Sequence, residues 1–78
     1  MIKIKFLLKD FGINSQLEEE FITEVTDTGF LVEGNYYNEF VAIQRILSFG
    51  DKCTVIEPVG FKNIIISKLK EMRLVYEN

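Results

Sequence analysis

Ile2, Ile4, Phe6 and Leu8 alternate with Lys3, Lys5, Leu7 and Lys9 at the start of the chain. A period of two in β-branched and aromatic residues predicts a strand over 2–8 with one buried face. Asp10, Phe11 and Gly12 end it. The spacing then changes. Ile13, Leu17 and Phe21 recur at i, i+4 and i+8, which is one side of a short helix over 13–21. Asn14 or Ser15 can cap it, and Glu18 follows Ser15 by three residues, as a capping box requires. Glu18, Glu19 and Glu20 fall on its solvated side.

Residues 21–26 and 30–36 read as two strands joined by Asp27, Thr28 and Gly29, with Gly29 able to take a positive φ in the turn. Phe30, Leu31 and Val32 are apolar on successive positions, a mark of a strand covered on both faces. Asn38 is a suitable N-cap for a helix over 39–49, whose buried stripe is Phe40, Ile43, Ile46 and Leu47. Glu39 suits the positive end of its dipole. Gly50 stands where a glycine closes a helix in the left-handed conformation. Residues 52–56 form a short strand rich in Thr, Val and Ile. Pro58 opens a last helix reaching Tyr76. Phe61, Ile65, Leu69, Met72 and Tyr76 share one face of that helix.

The resulting order is β-α-β-β-α-β with an added C-terminal helix, an α+β chain of the ferredoxin-like kind with a four-stranded antiparallel sheet. Right-handed crossovers put the two middle helices on one sheet face. The apolar stripe of the last helix must be buried too, either on the bare face or edge of the sheet or on a partner chain. Leu7 and Leu31 are the residues a second covering layer would touch.

Composition narrows the picture. At 78 residues the chain is a single domain, and a chain this short buries only about 60% of the surface its unfolded form exposes. Its apolar fraction of 47% suffices for a core. No apolar run approaches the roughly 20 residues of a membrane span, and the lysine-rich start is not a signal peptide. The net charge of −3 is uneven: residues 1–50 hold four Lys/Arg against eight Asp/Glu. Without a basic stripe the chain is a poor nucleic-acid binder by itself.

The chemistry on offer is sparse. There is one cysteine, Cys53, and no histidine, so intrachain disulfides, the usual metal sets and Cys-His or Ser-His pairs are excluded. A buried structural Cys53 in a reducing cytoplasm is the expected role. Glu24, Glu33 and Glu57 are acids without a matched partner, and Glu57 has a simpler task beside a helix start. No enzyme and no cofactor is expected. A nucleic-acid-binding or small-ligand-binding sensor module is the alternative. For nucleic acid, Lys3 and Lys5 would lie on the open sheet face with Tyr36 and Tyr37 nearby for stacking.

One stretch carries a resemblance. Leu47, Phe49, Gly50, Asp51, Val55, Ile56, Glu57 and Pro58, with Tyr76 near the end, resemble the C-terminal extension (WCX) domain that follows the WYL domain in bacterial transcriptional regulators. The first strand and Gly29 also stand where that family places them. The resemblance implies a non-catalytic regulatory or dimerisation domain of a larger cytoplasmic regulator, of which this chain is an excised C-terminal part. Its implied partners are its own WYL domain and a second copy in a homodimer. DNA would be reached only through an N-terminal helix-turn-helix domain, and no membrane is involved. Phe61, Ile65, Leu69 and Met72 are then the candidate interface residues.

Overall fold

The computed structural model describes residues 1–9 and 17–77. The alternating start forms strand β1 (Ile2–Lys9), with Ile4, Phe6 and Leu8 buried. A hairpin follows, β2 (Glu20–Val25) and β3 (Gly29–Tyr36). Then come helix α1 (Glu39–Ser48), a 3-10 turn (Gly50–Lys52), strand β4 (Cys53–Glu57) and helix α2 (Val59–Glu77). The chain is therefore α+β, a four-stranded antiparallel sheet with a C-terminal helix, in the strand order β2-β3-β1-β4. Both edge pairings shift register once. Thr23 is the extra residue on β2, and Ile56 the extra residue on β4.

The register explains which residues face the core. Ile4 stands opposite Gly34, Phe6 opposite Val32 and Val55, and Leu8 opposite Phe30 and Cys53. Ile4, Phe6, Leu8, Val32 and Val55, with Tyr36, Ala42, Ile43, Ile46, Phe49, Phe61 and Ile65, make one apolar cluster, against which Phe30 and Cys53 pack. Since Phe61 and Ile65 join it, α2 starts on the same sheet face as α1. Its route is not across the bare face. Lys3, Lys5, Leu7, Leu31, Glu33 and Asn35 point the other way, and Leu7 and Leu31 are half-buried with no helix over them among the described residues.

Several expected boundaries move. Most of the helix predicted over 13–21 lies outside the described residues, but its end does not hold. Glu18 and Glu19 form a turn, and Glu20 already begins β2. Phe21 is then forced to the open face opposite Glu33, where it is exposed. The periodicity at 17 and 21 was overridden by strand pairing. Phe40, expected in the stripe of α1, is 68% exposed, and Ala42 takes its place in the core. Gly29 is needed for closeness rather than for a positive φ. It pairs with Lys9, and a Cβ there would stand 2.0 Å from the Leu8 carbonyl oxygen.

Other local signals act as read. The Asn38 Oδ1 accepts a bond from the Val41 amide at 2.9 Å, capping α1. Gly50 has φ +65°, which ends the helix one residue past the Phe49 cap. The Lys62 amide reaches back to the Pro58 carbonyl at 3.0 Å, so Pro58 stands just before the first turn of α2. The Glu57–Pro58 bond is cis. At about 1.5 Å per residue, the 19 residues of α2 span about 28 Å. Only its first two turns reach the core; every residue of α2 from Ile66 on is exposed.

Candidate functional site

Two arrangements stand out: a buried polar lock under the helices, and a solvent-facing apolar surface formed by α1 and the far part of α2. The lock begins with Glu20. As the first residue of β2 it pairs with Gly34, and this register turns its side chain to the core face, where it is 2% exposed. Tyr36, two residues beyond Gly34, lies on the same face and is 1% exposed. Its ring crosses the space over Gly34, where a Cβ would stand 2.3 Å from the Tyr36 Oη. The Tyr36 hydroxyl donates to Glu20 Oε2 at 2.5 Å. From α1 above, Arg45 donates through Nε to Oε2 at 2.9 Å and through Nη2 to Oε1 at 2.8 Å, a two-pronged fit of guanidinium to carboxylate. The Leu17 amide adds a bond to Oε1 at 3.0 Å. The Arg45 guanidinium also lies 4.4 Å from the centre of the Phe49 ring, which packs on Phe6 with centroids 5.8 Å apart. The lock thus ties β2, β3 and α1 together and reaches the end of α1 next to Gly50.

The electrostatics follow from this geometry. Burial raises the Glu20 pKa, but the bonds from Arg45, Tyr36 and Leu17 outweigh it and hold the carboxyl below its ordinary range. Burial, and the bond to an ionised carboxylate, push the Tyr36 hydroxyl well above its usual value. The bond to Glu20 raises Arg45 further still. Burial also pushes the Cys53 thiol up to about 12, with the Glu20 charge adding to it, so Cys53 is a half-buried neutral thiol.

A pH dependence follows. The depressed Glu20 pKa contributes stability that is present above its unfolded value of about 4.3 and lost as pH falls through the folded value. The raised Tyr36 pKa contributes stability present below about pH 10 and lost at higher pH. Urea unfolding from pH 2 to 7 should therefore show wild type losing more stability on acidification than Glu20→Gln. Parallel curves for the two proteins would count against the lock.

The acids singled out in the sequence are not brought together. Glu24 is exposed, while Glu33 and Glu57 sit on the open sheet face near Lys3 and Lys5 at 3.9 and 4.0 Å. Among the described residues no His/Cys/Asp/Glu group of metal-binding size occurs. Tyr36 is no stacking platform, since its ring is inside the core; Tyr37 is exposed beside the start of α1. The motif residues split by role. Phe49 and Val55 are core, Leu47 packs against it, Gly50 makes the turn, and Asp51, Ile56, Glu57 and Pro58 are exposed.

The apolar stripe of α2 also divides. Phe61 and Ile65 are buried in the chain's own core, while Leu69, Met72 and Tyr76 are 51%, 47% and 87% exposed. Between the helices lies a groove of about 470 Å³ with Phe40, Ile43, Leu47, Ile64 and Met72 on its walls. Sequence reasoning missed the lock. Its signal was an ordinary acidic run, Glu18-Glu19-Glu20, whose third member is set apart only by pairing with β3. Among the described residues no helix is long and apolar enough to cross a membrane.

Fold and site together define the class: a small α+β domain with an apolar core, a buried polar lock and an unburied C-terminal helix end. The chain belongs to the WCX domain family, whose model matches residues 2–73, the domain associated with WYL-type regulators. Tyr76 lies beyond the matched span. No curated protein and no solved structure matches the chain.

Proposed function

We propose that this chain is a non-catalytic assembly module of a WYL-type bacterial transcriptional regulator, acting in the cytoplasm, with its own WYL domain and a second copy of itself as partners. One observation carries the reading: within a chain that belongs to the WCX family, the far half of α2 keeps an apolar stripe that its own core does not use. Soluble domains seldom expose contiguous apolar surface without a partner for it. The strand order supports a ferredoxin-like arrangement, since β1 and β2 are separated by β3, as a split β-α-β unit requires. Glu20 is engaged by Arg45 and Tyr36, and Glu33 and Glu57 face lysines. DNA is reached through another domain of the same regulator.

The test is light scattering of the 78-residue chain from 1 to 500 μM, together with a pull-down of the WYL domain of the same regulator. Self-association or capture of that domain is expected. A monomer that also leaves the WYL domain unbound removes the assembly role. Fluorescence anisotropy with single-stranded oligonucleotides at low salt checks the alternative, and the expected result is no binding at high micromolar protein.

A further inference from the structure

Strand β2 pairs with β3 in two registers, one in each half. At the hairpin end Val25 stands opposite Phe30 and Glu24 opposite Leu31, and the Thr26 amide donates to the Gly29 carbonyl across the turn at 2.8 Å. A hairpin turn fixes the register of the strands it joins. Continued without interruption, that pairing would set Ile22 opposite Glu33, Phe21 opposite Gly34 and Glu20 opposite Asn35. The observed pairing is one residue out: Ile22 faces Val32, Phe21 faces Glu33 and Glu20 faces Gly34. The extra residue is Thr23, whose hydroxyl donates to the Leu31 carbonyl at 3.1 Å. The Asn35 amide, bonded to the Glu19 carbonyl at 3.0 Å, carries the shifted pairing one residue beyond the strand.

A slip of one residue exchanges the two faces of a strand. Val32, Gly34 and Tyr36 of β3 face the core, so the uninterrupted register would turn Phe21 and Thr23 inward and send Glu20 and Ile22 to the open sheet face. Apolar burial does not choose between the two. One register buries the Phe21 ring, which is now 56% exposed; the other buries part of Ile22, and the two side chains gain comparably from burial. The difference is polar. With the Thr23 bulge in place, Glu20 meets Arg45, the Tyr36 hydroxyl and the Leu17 amide. On the open face it would meet none of them. Choosing one packing over another is the best-attested use of a buried polar group.

We propose that β2 is a two-register strand and that the contact of Glu20 with Arg45 and Tyr36 selects its register. With the contact made, the bulge is held at Thr23 and Phe21 lies on the open sheet face. With the contact broken, the bulge is expelled, Phe21 enters the core opposite Gly34, and residue 20 moves to the open face beside Asn35, in the row that Lys3 occupies on β1. The open face then trades an aromatic ring for a polar side chain, while the hairpin turn stays as it is.

Cross-strand NMR contacts in the full chain test it, with wild type, Glu20→Lys, a deletion of Thr23, and the two changes combined. Wild type should show Phe21 facing Glu33. Glu20→Lys sets a cation against Arg45, so the contact cannot form; Phe21 should then face Gly34, Ile22 should face Glu33, and the Phe21 ring should touch Tyr36. Losing a residue from mid-strand ordinarily inverts the faces of everything beyond it. Deleting Thr23 should instead keep Phe21 opposite Glu33 and Glu20 against Arg45, with a Tm at or above that of wild type, because only the bulge is removed. The combined form has no straight register that frees the introduced lysine from the core, and it should fail to fold. A Glu20→Lys chain that unfolds, or that keeps Phe21 opposite Glu33, would overturn the second register. A Thr23 deletion that unfolds or turns Glu20 out of the core would overturn the selecting role of the contact.

Discussion

Arg45→Ala lowers the unfolding free energy by about 3–5 kcal/mol, the cost of leaving a buried charge without its partner. Glu20 is the only charged side chain fully inside the core among the described residues. Arg45 supplies its counter-charge through two bonds of 2.9 and 2.8 Å. Removing the guanidinium leaves the carboxylate with the Tyr36 hydroxyl and the Leu17 amide. It also strips the cover from the Phe49 ring. The Glu20 pKa then rises from its lowered wild-type value, because burial remains while the bonds and charge of Arg45 are gone. Chemical denaturation at pH 7 measures the loss, and a change under about 1 kcal/mol would show that the pair is solvated. The double replacement Glu20→Leu/Arg45→Met, which removes both charges and keeps volume, should cost less than Arg45→Ala alone. Buried pairs exchanged for apolar groups are often neutral, whereas broken ones are not.

Gly34→Ala is expected to cost about 3 kcal/mol, combining overpacking with a displaced hydrogen bond to a charged group. The added methyl would meet Tyr36 at Oη, Cζ and Cε2, at 2.3, 2.5 and 2.7 Å. The ring cannot swing away freely, because its hydroxyl is bonded to Glu20 and its body is inside the core. The position has no positive φ, so the effect is one of contact rather than backbone strain. A double-mutant cycle isolates it: in a Tyr36→Val background, Gly34→Ala should cost less than about 1 kcal/mol. Equal costs in both backgrounds would place the clash elsewhere. For a domain of this size 3 kcal/mol corresponds to roughly 12–24 °C in Tm, readable by thermal melting.

Both changes act on residues that the sequence did not mark, and the reason is physical. Periodicity reports the local partition between water and core, so β1, the hairpin, α1 and α2 were legible from apolar spacing. The punctuation was legible because Asn38 and Gly50 each do one local job. The lock was not legible, because it is made by register. Glu20 differs from Glu18 and Glu19 only in standing opposite Gly34, a fact about strand pairing 14 residues away. Phe21 and Phe40 fail for a related reason. Each fits a helical period on paper, but β2 begins too early for one, and the core stops short of the other. The α2 stripe is continuous, but its spacing does not say how far along it the core reaches.

The two register shifts described for the sheet fall on its outer strands: Thr23 bulges on β2 and Ile56 on β4. Those are the strands with one side of the backbone ladder unpaired within the described sheet. A bulge bends such a margin and breaks the even spacing of its amide and carbonyl groups, so an incoming extended chain finds no straight template to zip against. Thr23 and Ile56 thus shape the two margins of the sheet.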